Sequence, residues 1–143
     1  MTLALIVWTA LQDESGRVLL ARRSGTALAD GLWNLPGGAV KAGEALADAA
    51  RRELREEVGV EVERADLIPV GVSRYDTQDR DRRMQGVDFL FVARRWQGTP
   101  TPLDKTSEVG WFALDALPAD LLPWLPRVLD THLRRGEWLS EEV

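Results

Sequence analysis

The period of the hydrophobic pattern changes along the 143 residues, and those changes divide the chain into strands and helices. Residues 3–11 (LALIVWTAL) form an apolar run that predicts a buried strand. The polar turn QDESG follows at 12–16, and residues 17–22 return as a second strand, which would close a hairpin. Residues 24–31 are rich in small and turn-forming types and predict a loop. Leu32-Trp33-Asn34-Leu35 predicts a short extended piece, because Pro36 disfavours helix at the residue before it. From residue 44 or 45 to 58 the spacing becomes helical, with Leu46, Ala50, Leu54 and Val58 recurring every fourth position. Gly59 suits the left-handed residue that ends a helix, and Val60 the apolar contact beyond it.

Residues 61–74 hold extended segments, including LIPVGV at 67–72. The charge density of residues 76–83 (DTQDRDRR) predicts a solvated loop. Residues 87–96 (VDFLFVARRW) predict a strand rich in aromatic and β-branched types. A Pro- and Thr-rich loop follows at 97–106 and a last strand at 109–114. A helical segment at 119–135 is interrupted at Pro123 and Pro126 and capped by Gly136. Strands on both sides of a central helix, with a second helix at the end, predict one α/β domain over residues 1–143, an α/β/α sandwich around a mixed sheet.

The central helix carries its carboxylates on the wrong side. At about 100° per residue, Glu57 falls within the apolar stripe, Glu53 on its flank and Glu56 slightly beyond. The solvated face lies elsewhere, at Glu44, Asp48, Arg51 and Arg55. Turning like charges toward the protein body costs on the order of several kcal/mol each unless something compensates them. A hard divalent cation bound through oxygen is the simplest such partner. The alternative is an acidic face with i,i+4 pairs to Arg51, Arg52 and Arg55.

Composition narrows the chemistry. With no cysteine, disulfides, thiolate metal sites and cysteine nucleophiles are excluded. The single histidine, His132, leaves no histidine relay or His-rich zinc site and is expected on the surface of the last helix. A net charge of -5 argues against coating a nucleic acid polymer, yet permits a small nucleotide bridged to carboxylates by metal. The N-terminal run has no basic flank and is too short to span a bilayer, so neither membrane nor signal segment is expected and the location is expected to be cytoplasmic.

The stretch 38–60, GAVKAGEALADAARRELREEVGV, resembles the Nudix box: glycine, five residues, glutamate, seven residues, then Arg-Glu-apolar-X-Glu-Glu-X-Gly-apolar. Gly38, Glu44, Arg52, Glu53, Leu54, Glu56, Glu57, Gly59 and Val60 fill every fixed position. The resemblance implies a Nudix-type sandwich in which Glu53, Glu56, Glu57 and the Gly38 carbonyl bind Mg²⁺ or Mn²⁺. It also implies that Arg52 orients the glutamates, that Glu44 is structural, and that Glu53 is the first choice for general base. VLLARRS, LWNLPGG and FVARRWQGTP extend the similarity toward MutT-type nucleoside triphosphate pyrophosphatases over residues 1 to about 112. On that likeness Arg23 would contact substrate phosphates, and Asp104 would join the metal site or serve as base, with Glu108 its rival.

The departures concern the substrate. The segment that reads the base in MutT-type enzymes is ADLLPWLPRVL here, with no matching asparagine or paired aspartates. Trp124 or Trp8 could stack on a base, and Leu35 stands where an aromatic might line the pocket. The resemblance therefore implies hydrolysis of a small-molecule nucleotide, foremost a nucleoside triphosphate, oxidised or non-standard ones included, to monophosphate and pyrophosphate. ADP-ribose or a nucleoside diphosphate sugar is the alternative, and a non-catalytic nucleotide-binding domain a minor one. A monomer or homodimer is expected.

Overall fold

The computed structural model describes residues 3–79 and 82–143. Its strands, in chain order, are β1 (Ala4–Leu11), β2 (Val18–Arg23), β3 (Trp33–Asn34), β4 (Gly37–Ala39), β5 (Ile68–Asp79), β6 (Arg82–Ala93), β7 (Thr106–Phe112) and β8 (Leu139–Glu142). The helices are α1 (Leu46–Val58), between β4 and β5, and α2 (Leu125–Leu129), which continues as a π-helical turn over Asp130–Arg134. A five-stranded sheet has the order β4-β1-β6-β5-β8, and a three-stranded sheet the order β3-β2-β7. The larger sheet is mixed: β1 runs parallel to β6 and antiparallel to β4, while β5 is antiparallel to β6 and parallel to β8.

Alternation along the central strands builds two cores. Val7 and Leu11 of β1, with Phe91 and Ala93 of β6, face the core closed by Ala50, Leu54 and Val58 of α1. Ala10, Leu90 and Val92 face the opposite core, closed by Leu125, Val128 and Leu129. A two-residue period on the strands thus meets a helix on each face, the sandwich expected from the pattern. Leu54 and Val58 are fully buried, and each such side chain contributes about 1.5–3 kcal/mol by leaving water. Gly59 ends α1 at φ 70°, as its position predicts.

Four expectations are corrected. β1 and β2 do not form a hairpin: both edges of β1 are taken by β4 and β6, and only a single bridge, Gln12↔Val18, joins the two segments. Residues 76–79 and 82–83 are strand rather than loop; the tip, Arg80-Asp81, lies outside the described residues. Charge does not prevent pairing there, because the two edges complement each other: Asp76 stands opposite Gln85 in the ladder and is bonded by Arg83 at 2.6 and 2.8 Å. His132 is buried, not on the surface, with its ring nitrogens on the Glu137 carbonyl (2.7 Å) and the Ser140 hydroxyl (3.2 Å). The C-terminal helix begins at Leu125, since Pro123 and Pro126 suit only a helix entrance, and the polar residues after Gly136 form β8.

Candidate active site

α1 is held at both ends by loops that fold back over its acidic face. At the N-terminal end, the Glu44 carboxylate accepts the Lys41 backbone N–H at 3.0 Å and pairs with Arg52 at 2.8 and 3.0 Å. Hydrogen bonds from Arg52 hold Glu44 down at about 2. The same guanidinium donates to Glu53 at 2.9 Å, to Glu56 at 3.3 Å and to the Ala39 carbonyl at 3.0 Å. Arg52 therefore ties the 39–44 loop to two of the three glutamates, the orienting role expected of it, and Glu44 acts as its anchor. A lysine could not make these forked contacts.

At the other end, residues 101–104 satisfy carbonyls that the last turn of a helix leaves free. Thr101, Leu103 and Asp104 donate their backbone N–H groups to Val58, Glu57 and Glu56, at 3.0, 2.9 and 3.1 Å. This docking places the Asp104 side chain beside Glu56 and Glu57. Glu108 is carried elsewhere by β7, where it pairs with Arg22 at 3.2 Å.

β4 forms the third wall. The Gly37 N–H donates to Glu57 Oε1 at 2.8 Å. A Cβ on Gly38 would lie 2.6 Å from Glu53 Oε1, so only glycine lets the backbone approach that carboxylate. Between these walls lies a cavity of about 600 Å³, lined by Arg23, Gly38, Glu53, Glu56, Glu57 and Asp104 among others. Leu35 and Asn34 also border it, together with Lys41 and Lys105, whose positions the hydrophobic pattern gave no reason to single out. Arg23 is steadied by a bond from Nε to the Leu28 carbonyl at 3.2 Å.

The electrostatics follow the graded burial expected from the helical wheel. Burial pushes Glu57 up to about 8, against the Gly37 hydrogen bond, with neighbouring Glu53 and Asp104 adding to the rise. Glu53 is also raised, by burial first, although Arg52 opposes it. Glu56 is the exposed member, its side chain 45% accessible. Glu56 and Glu57 sit in the last turn, where the helix dipole disfavours negative charge. The cluster thus carries an excess of buried, like-charged oxygen donors. Among the described residues no carboxylate group is preassembled as a metal cage: Glu53 and Glu56 are drawn onto Arg52, and Glu57 onto the Gly37 amide. The donors nevertheless fit a hard divalent ion, being all oxygen, on three sides of one cavity, with a glycine cradle at Glu53.

Trp8 and Trp124, expected to touch substrate, do not border this cavity. They line a second one of about 120 Å³, on the face of the large sheet that packs against α2. Asn34 was not singled out; a lone amide between Trp33 and Leu35 in an apolar strand was the available signal.

The NUDIX domain model matches residues 2–132. The chain belongs to the Nudix family. It is 33% identical over 134 residues to an oxidized purine nucleoside triphosphate hydrolase of Danio rerio, covering 90% of this chain and 78% of that protein. It is 30% identical over 106 residues to an ADP-ribose pyrophosphatase of Methanocaldococcus jannaschii, covering 74% of this chain and 60% of that one. A MutT Nudix hydrolase of Burkholderia pseudomallei superposes with a TM-score of 0.76 at 32% identity, over 90% of this chain and 95% of that structure. This Nudix domain is accordingly a hydrolase of nucleoside diphosphate-linked compounds, acting on phosphoanhydrides. No helix among the described residues is long and apolar enough to cross a membrane.

Proposed function

We propose that this Nudix domain hydrolyses nucleoside triphosphates to the monophosphate and pyrophosphate, with Mg²⁺ or Mn²⁺ held by Glu53, Glu56, Glu57 and the Gly38 carbonyl. The observation that carries this reading is the meeting of all three glutamates, Asp104 and Arg23 around one cavity, with Glu57 buried beyond what its single amide hydrogen bond offsets. A bound divalent ion supplies charge neutralisation for the diphosphate and a lowered pKa for the attacking water. Arg23, at the end of β2, binds the phosphates and stabilises the charge that develops as the P–O anhydride bond breaks. Arg52 holds Glu53 and Glu56 in place through its fork of donors. Glu53, less buried than Glu57, takes the proton from water, and Asp104 assists from the opposite wall. The similarity to the D. rerio hydrolase favours a purine triphosphate.

The similarity to the M. jannaschii enzyme supports a second reading, cleavage of ADP-ribose with the same residues. Pyrophosphate release from a panel of canonical and oxidised nucleoside triphosphates, with AMP release from ADP-ribose measured alongside, separates the two. Triphosphate turnover that depends on Mg²⁺ or Mn²⁺ and collapses in Glu57→Gln is the expected result. Turnover undiminished in Glu57→Gln would overturn the metal-site assignment, and ADP-ribose as the better substrate would overturn the triphosphate reading.

A further inference from the structure

Two buried side-chain atoms among the described residues have no hydrogen-bond partner, Asn34 Nδ2 and Asp88 Oδ1. They belong to different sheets, β3 and β6, yet line the same small recess with Trp8, Ser73 and Trp124. Trp8, Ser73, Asp88 and Trp124 also line the 120 Å³ cavity, while Asn34 borders the diphosphate cavity as well. Asn34 therefore stands between the two spaces. A buried polar group left unpaired costs about 1–3 kcal/mol, so two of them side by side need an explanation.

Their chemistry is fixed by their surroundings. Asn34 Oδ1 accepts the Leu35 N–H at 2.8 Å, so the free end of the amide can only donate. Asp88 shares a sheet face with Ile6 and Ser73, its partners on β1 and β5, and the Trp8 side chain hydrogen-bonds its carboxylate. Burial pushes Asp88 up to about 6, which leaves it an ionised acceptor at pH 8. The two indoles, Trp8 and Trp124, give the cavity aromatic walls against which a planar ring can lie.

We infer that this cavity takes the base of the nucleotide, with Asn34 Nδ2 donating to a ring carbonyl and the Asp88 carboxylate accepting from the ring N–H and amine beside it, the edge of a guanine-type oxo-purine. The inference rests on the nucleotide reading given above and names the base. Adenine fits less well, since its edge offers one amine donor next to a ring acceptor and leaves Asp88 half satisfied. Sites built to hydrogen-bond a ligand discriminate strongly, because the wrong ligand leaves buried groups unpaired. The specificity would thus lie in residues outside the 38–60 stretch, one on each sheet.

The test needs no turnover. The full chain, free of metal at pH 8, is titrated with GMP, IMP, AMP, CMP and UMP, and binding is read from the fluorescence of its tryptophans. GMP should bind at least tenfold more tightly than AMP, with IMP, which lacks the amine, between them. Asp88→Asn should abolish the preference for GMP over AMP. Asn34→Asp, which keeps the acceptor for Leu35 N–H and removes the donor, should weaken GMP and IMP alike and decides the matter should Asp88→Asn not fold. No binding of GMP at millimolar concentration, or GMP and AMP within threefold, overturns the inference. So does an Asp88→Asn variant that changes only the melting temperature, the mark of a structural pair bridged by buried water. Base-selective binding that depends on Asp88, in a protein that hydrolyses no nucleotide with either metal, would leave this inference standing while the proposed function fell.

Discussion

Glu57 offers the sharpest test of the active-site geometry when the metal is removed. Its carboxyl group is raised from 4.5 to about 8, chiefly by burial, so the folded protein holds that proton to higher pH than the unfolded chain does. Stability is therefore lost as pH climbs from about 4.5 to about 8, and the loss is complete above that range. A rise of that size corresponds at most to about 5 kcal/mol, and screening through the open side of the cavity reduces it to about 2–4 kcal/mol. Gln in place of Glu57 keeps an oxygen for the Gly37 N–H and removes the ionisation. In EDTA at pH 8, Glu57→Gln should be more stable than the wild type by about 2–4 kcal/mol, and at pH 5 the two should nearly coincide. Urea denaturation at the two pH values, followed by tryptophan fluorescence, measures this. Millimolar Mg²⁺ should then recover stability in the wild type and much less in the variant, since a ligand stabilises only the state that binds it. A Glu57→Gln variant no more stable than the wild type in EDTA at pH 8 would refute the reasoning, because the carboxylate would then be solvated.

Two further outcomes follow from placements that only the fold reveals. Asp104→Asn should lower kcat by about tenfold to a thousandfold, while Glu108→Gln, which breaks only the pairing with Arg22, should stay within about threefold on the same scale; steady-state pyrophosphate release compares them. Gly71→Ala would set a Cβ 2.1 Å from His132 Nδ1 and should cost about 1–3 kcal/mol in urea denaturation, with kcat little changed.

The parts legible in the sequence are those whose cause is local. The four-residue spacing of Leu46, Ala50, Leu54 and Val58 defines α1, and the same wheel orders Glu57, Glu53 and Glu56 by depth as the fold does. The parts that were not legible depend on partners distant in the chain. His132 is buried because Gly71, 61 residues earlier, has no side chain where the imidazole lies. β8 is a strand because Val72 and Tyr75 offer it an edge, not because LSEE favours extended backbone. β1 leaves β2 because β4 and β6 claim both of its edges.

The same division separates the two halves of the candidate site. The diphosphate end draws most of its groups from one helix and the loops that touch it, Gly38, Arg52 and the glutamates within 20 residues, so spacing alone exposes it. Asp104 joins only because the backbone of residues 101–104 caps the last turn of α1. The pocket beyond Asn34 has no such local frame. Asn34 comes from β3, Trp8 from β1, Asp88 from β6 and Trp124 from the entrance to α2, and the strand pairings Ile6↔Asp88 and Ser73↔Asp88 bring them abreast. An aspartate on a strand of VDFLFVA reads, in one dimension, as an outward-facing polar residue of a half-exposed strand. In the fold both faces of β6 are covered, so the same alternation turns Asp88 into a buried charge between two cores. Its burial, not its position in a motif, is what marks it.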